Sequence, residues 1–272
     1  MSCLTEKVYP LFSAHMWNFK NKIAIVSGGG TGIGRAAAAL LARSGARLVL
    51  TGRREEPLHK AVAEIAALGG EAIAVPGDAA TEAGARSAVD TAIERFGALH
   101  LAVNAAGAAG VGLLVDTDEA MFDDLINANV RSVWLAMKFQ IPAIAAHGGG
   151  AIVNVSSRSG LIGTAYGSVY SGAKHAVIGL TKSAALEAAE LGIRINAVCP
   201  GQTQTAQFDR IVAKAMPGTD VADAAAMLAK KVPLGRIADP AEVADAIAWL
   251  LSPHASFVTG AAVPVDGGVG AG

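Results

Sequence analysis

Cysteine is almost absent from this chain of 272 residues: Cys3 lies near one terminus and Cys199 inside an apolar run. Two such positions build no disulfide framework, and they suit a reducing, cytoplasmic setting. Charge imbalance is absent too. Lys and Arg number 22 against 23 Asp and Glu, a formal net charge of -1, so nothing electrostatic points to nucleic acid as a partner. One stretch without acidic or basic groups, residues 97–115, is interrupted by His100, Asn104 and four glycines. It reads as a buried strand entering a loop, not as a membrane span. Residues 1–20 carry Glu6, Lys7 and Lys20 and no continuous apolar core, so they do not resemble a secretory signal. They are expected to form a loose extension or a cap on a neighbouring subunit. His, Cys, Asp and Glu never gather at metal-ligand spacing, and no catalytic metal is expected.

What the chain has is apolar surface, 52% of its residues, enough for a core covered on both sides. Short apolar runs at 23–27, 47–51, 72–75, 99–104, 151–156, 193–199 and 261–265 alternate with helical patterns at 34–43, 55–68, 82–96, 119–146 and 169–191. Several runs lack period-two alternation, as strands of a parallel sheet do when both faces are covered. The repeated βα order predicts an α/β, doubly wound Rossmann fold: a seven-stranded, mostly parallel sheet with helices on both faces. No linker or repeat divides it, so residues 21–272 are expected to form one domain. The least regular segment, 202–239, has one helical pattern at 220–231 and stands where a substrate lid would.

Run 23–27 leads straight into Gly28-Gly29-Gly30-Thr31-Gly32-Ile33-Gly34 and then a helix. Glycines there allow a tight turn and let backbone N–H groups approach a pyrophosphate at the helix N-terminus. Glycine also serves ordinary turns; the strand before and the helix after point to dinucleotide binding.

Tyr170 and Lys174 are four residues apart, with Ser157 thirteen residues before the tyrosine. A phenol loses its proton at about pH 10, too high for easy proton traffic at neutral pH. An ammonium one helical turn away favours the phenolate, and a serine hydroxyl beside them could hold an oxygen while the proton moves. Singly, each residue also reads as ordinary helix or turn surface.

The spacing Gly-x-x-x-Gly-x-Gly, together with Tyr170-x-x-x-Lys174, resembles the short-chain dehydrogenase/reductase family. So do Asn104-Ala-Ala-Gly107, Asn127-Ala-Asn129, Ser156-Ser157, Pro200-Gly201 and Val265-Asp-Gly-Gly268, in that order from about residue 22 to 268. The resemblance implies hydride transfer between a nicotinamide cofactor and a small ketone or secondary alcohol. Tyr170 would be the general acid/base, Lys174 would lower its pKa and hold the nicotinamide ribose, Ser157 would hold the substrate oxygen, and Asn129 would anchor a relay water. Gly28, Gly30, Thr31, Gly32, Ile33 and Gly34 would carry the pyrophosphate, Asp78 and Ala79 the adenine. Asn104, Ala105 and Gly107 would line the ribose and nicotinamide side, and Pro200, Gly201, Thr203 and Thr205 would enclose the carboxamide. Family members that prefer NAD carry an acidic residue at the Gly52 position. Here Arg53 follows instead, and a guanidinium pairs with a 2′-phosphate, which favours NADP(H) with NAD(H) as the alternative. The resemblance also implies a homotetramer or dimer assembled through residues 129–146 and 169–191. Competing readings are an NAD(H)-dependent dehydrogenase of the same family and a non-catalytic module that senses nicotinamide redox state. Tyr166 is set aside because its fourth neighbour is Tyr170, not lysine; His147 and His175 are expected on helix surfaces.

Overall fold

The seven apolar runs become the strands β1 (Ile23–Ser27), β2 (Arg47–Gly52), β3 (Glu71–Pro76), β4 (Leu101–Asn104), β5 (Gly150–Val155), β6 (Ile193–Pro200) and β7 (Ala262–Val265) of a computed structural model that describes residues 17–271. Their order is β3-β2-β1-β4-β5-β6-β7, and every adjacent pair is parallel. The sheet is therefore wholly, not mostly, parallel. The chain leaves β1 toward one edge and returns to lay β4 on its other side, which opens a crevice above the carboxyl ends of β1 and β4.

Helices α1 (Gly32–Arg43), α2 (Glu55–Ala67) and α9 (Pro240–Leu251) cover one face. Leu41, Leu58, Ile65, Val243 and Ile247 pack there against Val26, Leu48, Leu50, Val103 and Val153. Helices α3 (Glu82–Phe96), α5 (Ser132–Ala145) and α6 (Ser168–Ala188) cover the other, with Val89, Val133, Met137 and Val177 against Ile25, Val49, Ala102, Ile152 and Ile195. Strands caught between two such layers have no wet face, which is why their sequences show no alternation.

The helix expected over 119–146 is divided. α4 (Glu119–Ile126) passes into a π turn at Asn127–Arg131 before α5 resumes the ordinary ladder. Two helices lie outside the expected patterns. α7 (Ala206–Ala215) is capped by the Thr205 hydroxyl, which accepts the Phe208 N–H; α9 opens on a capping box of Asp239 and Glu242. Segment 202–239, with α7 and α8 (Val221–Ala229), has a small core of its own in Phe208, Val212 and Ala224. At the N-terminal side, Phe19 is 2% exposed and its N–H donates to Ser44 O, so residues 17–20 belong to the packed body and not to a loose extension. The rest of that expected extension, Cys3 included, lies outside the described residues.

A buried amide cluster joins the second face to the sheet. Asn104 Nδ2 donates to Gln140 Oε1 (3.0 Å) and Asn154 Oδ1 (2.9 Å), and Gln140 Nε2 returns a bond to Asn104 Oδ1 (2.9 Å). Asn154 Nδ2 donates to Thr181 Oγ1 (2.9 Å). Among the described residues no helix is long and apolar enough to cross a membrane.

Candidate active site

The crevice is a cleft of about 1270 Å³, roomier than a site for one drug-sized ligand. One end is the turn between β1 and α1. Glycine is required at two points of close approach: a Cβ on Gly34 would meet Gly28 O at 2.3 Å, and one on Gly28 would meet Ala105 O at 2.8 Å. The first turn of α1 thus lies directly on the loop that precedes it. Thr31, the N-cap residue, makes no side-chain cap bond, which leaves the leading N–H groups of the helix facing the cleft. Unmatched N–H groups at a helix start attract anions. Arg53 and Arg54 rim the same end and are exposed. Asp78 and Ala79 line it next to Thr81, with Asp78 Oδ1 accepting the Ala80 N–H at 2.9 Å. Thr205, where α7 is capped, lies against the turn: a Cβ on Gly32 would sit 3.2 Å from its methyl group. These observations fit a dinucleotide laid across the cleft with its pyrophosphate at α1.

The other end is built by the loop after β5 and the start of α6. Ser157 Oγ accepts the Ser159 N–H at 3.1 Å, so its own proton is available to donate, and as a polar neighbour it draws the Tyr170 pKa downward. Ser156 and Ser159 have other work: Ser156 Oγ donates to Lys174 O at 2.9 Å, and Ser159 Oγ pairs with Thr164 Oγ1 at 2.9 Å. Lys174 is 5% exposed and its Nζ donates to Val155 O at 3.0 Å. Burial pulls its pKa down to about 8. Burial pushes the Tyr170 phenol above its ordinary value, and Ser157 offsets this only in part. The Lys174 ammonium stands 5.7 Å from the centre of the Tyr170 ring.

Asn129 is wholly buried in the π turn. Its Nδ2 donates to Ala108 O and Leu125 O, both at 2.9 Å, and its Oδ1 accepts the Ala108 N–H at 3.3 Å. The side chain is therefore engaged in fixing the loop after β4. A Cβ on Gly107 would lie 2.8 Å from Asn129 Oδ1 and 3.4 Å from Lys174 Nζ, so glycine lets the backbone pass between them.

Of the expected residues, the glycine turn, Arg53, Asp78, Ala79, Ala105, Gly107, Asn129, Ser157, Tyr170, Lys174, Pro200, Gly201, Thr203 and Thr205 all line the cleft. Asn104 does not. Its side chain points into the buried amide cluster, because the residue ends a strand whose last side chain faces the α5 layer. The cleft wall also includes Arg158, Tyr166, Gln202, Phe208 and Arg210. The last three come from segment 202–239, whose two helices had only partial sequence signals. His147 and His175 each bond a carbonyl one turn back in their own helix, as surface histidines do.

A family model described as "Enoyl-(Acyl carrier protein) reductase" matches residues 28–270. The chain is 44% identical over 255 residues to cyclohexanol dehydrogenase of Acinetobacter sp. (strain SE19), covering 92% of this chain and 95% of that protein. It is 41% identical over 253 residues to the A-factor type gamma-butyrolactone 1'-reductase (1S-forming) of Streptomyces virginiae, covering 91% and 95%. The crystal structure of levodione reductase superposes with a TM-score of 0.90 at 32% identity, covering 93% of this chain and 99% of that one.

Proposed function

Because the chain belongs to the short-chain dehydrogenase/reductase family, and is a nicotinamide-dependent oxidoreductase acting on a small molecule, we propose that it interconverts a ring-bearing secondary alcohol and its ketone with NADP(H) as the preferred cofactor. The observation that carries this reading is the convergence of Ser157, Tyr170 and Lys174 on one wall of the cleft that the glycine turn closes at its far end. When bound, the dihydronicotinamide supplies the hydride that adds to the carbonyl carbon. Ser157 donates its hydroxyl hydrogen to the carbonyl oxygen and fixes its position. Tyr170, held neutral by burial, gives that oxygen its proton, and the product is the alcohol. Lys174, with a pKa near 8, returns a proton toward Tyr170 from a water held beside Asn129. Oxidation runs the same proton path in reverse.

NADP(H) is favoured by Arg53 and Arg54, which face the cleft where the adenosine ribose would lie. Thr31 in the glycine turn, where a second basic residue would strengthen the case, is the observation that favours NAD(H). The ring-bearing substrate is supported by two relatives whose names carry a cyclohexanol and a gamma-butyrolactone. Segment 202–239 acts as the lid. Phe122 and Trp134, each about half exposed on α4 and α5, and Leu186 on α6 support self-assembly through those helices, as a homotetramer or dimer; sedimentation equilibrium reads the subunit number.

The direct test mixes the purified protein with NADPH or NADH and cyclohexanone. Turnover is expected with the unaltered enzyme and a loss of at least about 100-fold in kcat with Tyr170→Phe, which keeps the ring and removes the proton. Wild-type-like turnover by that variant sinks the acid/base assignment.

A further inference from the structure

Among the described residues only two other than glycine adopt a left-handed backbone, Asn21 and Tyr166. Asparagine tolerates that region because its short amide bonds locally; for a residue as bulky as tyrosine, φ of 62° is strained. Gly167 stands next in the chain, yet the tyrosine takes the left-handed turn. Both loops around the cleft mouth hold it there. The Gly112 N–H donates to Tyr166 O at 2.9 Å, and Gly112 forms an isolated parallel bridge with Gly167.

The side chain returns little to the fold. It is 60% exposed, and its hydroxyl has no hydrogen-bond partner among the described residues. A backbone held in strain for a side chain so exposed points to a use outside folding. Tyr166 is among the residues that line the cleft, as Ser157 and Tyr170 are. The chain near it is apolar: Leu113 and Leu114 follow Gly112, and Leu161 and Ile162 precede the tyrosine, all exposed. An aromatic face presented at the mouth of a site selects for another flat or apolar ring, through offset contact and removal of both faces from water.

Resting on the oxidoreductase reading above, we propose that Tyr166 is the specificity-determining residue for the substrate's ring: the strained turn presents its aromatic face to an alicyclic or aromatic ring carrying the reacting carbonyl, and discriminates against open-chain ketones. It takes no part in proton transfer.

The test compares cyclohexanone with butan-2-one, using the preferred cofactor, for the unaltered enzyme, Tyr166→Phe and Tyr166→Gly. The ratio of kcat/KM for the cyclic over the open-chain ketone is expected to hold in Tyr166→Phe and to fall about three- to tenfold in Tyr166→Gly, the loss appearing in KM. The melting temperature of Tyr166→Gly is expected to hold or rise, since glycine takes the turn without strain. An unmoved ratio in Tyr166→Gly, or a fall in its melting temperature of more than about 2 °C, assigns the ring to the fold and overturns the inference. Failure of the glycine variant to fold overturns it for the same reason. A collapsed ratio in Tyr166→Phe overturns it as well, because the hydroxyl and not the ring face would then be selecting. Turnover of neither ketone by the unaltered enzyme overturns the parent reading and this inference together; turnover of both with an unmoved ratio overturns this inference alone.

Discussion

Lys174 shows how one buried charge ties stability to pH. Its ammonium sits almost wholly out of water, compensated by a single carbonyl, and its pKa falls from 10.5 to about 8. The sign of the consequence follows from proton counting. Between pH 8 and 10.5 the unfolded chain holds this proton and the folded protein does not, so stability rises with pH across that window; below it, the buried ammonium is a standing cost. Lys174→Met removes the group. The free energy of urea unfolding of the unaltered protein, measured relative to that variant, is therefore expected to rise by up to about 3 kcal/mol from pH 7 to pH 10. A difference that stays flat with pH would show that the ammonium is not desolvated. Tyr170 shifts the other way, upward through burial.

Among the elements, the π turn between α4 and α5 carries the most buried of the proposed site residues, Asn129. The wider turn at Asn127–Arg131 places Asn129 inside the molecule, bonded to Ala108 and Leu125. Asn129→Ala leaves those backbone groups without partners in a dry interior. It is expected to cost about 2–4 kcal/mol, read by denaturant unfolding, and to lower kcat at least about tenfold after correction for the folded fraction. A kcat that recovers fully on that correction would make the residue structural alone. The sequence could not announce this turn. A π turn shifts the apolar register by one residue within a continuous helical pattern, so residues 119–146 read as one helix. Other elements were plainly written: each strand run stood out as a short, mainly apolar stretch, and Gly97 stands where α3 ends, at φ 83°. The start of α9 carries a signal as well, in Asp239-Pro240-Ala241-Glu242, a proline-bearing capping box. Asn104 marks the limit of motif reading. Its place after the fourth apolar run was clear, but which layer its side chain faces depends on the pleat of β4.

At the scale of the whole molecule, the two halves of the chain meet over the cleft, and ligand binding should be felt throughout. The first half supplies the helix start at the glycine turn and the two arginines; the second supplies Ser157, Tyr170, Lys174 and the lining residues of segment 202–239. A cofactor bound only by the folded protein raises its stability by RT ln(1 + [L]/Kd), so equal concentrations of two cofactors rank their affinities directly. NADPH is expected to raise the melting temperature more than NADH does, by about 2–4 °C for a tenfold difference in Kd. Arg53→Glu should reverse that order, because a carboxylate repels a 2′-phosphate and accepts bonds from free ribose hydroxyls. Equal shifts from both cofactors in the unaltered protein would remove Arg53 from cofactor choice.

Strands that are apolar on both faces slide past one another with little penalty, since each one-residue slip meets another hydrophobic neighbour. Asn104 and Asn154 stand directly opposite each other on β4 and β5, and their amides form a hydrogen-bonded chain from Gln140 to Thr181. A slip by one residue would turn one asparagine toward the opposite layer and strand its partners without water or a mate. The cluster thus acts as a combination lock on strand alignment, penalising misregistered sheets that burial alone would accept, and the native register it favours is the one that sets Val155 and Ser157 at the end of β5.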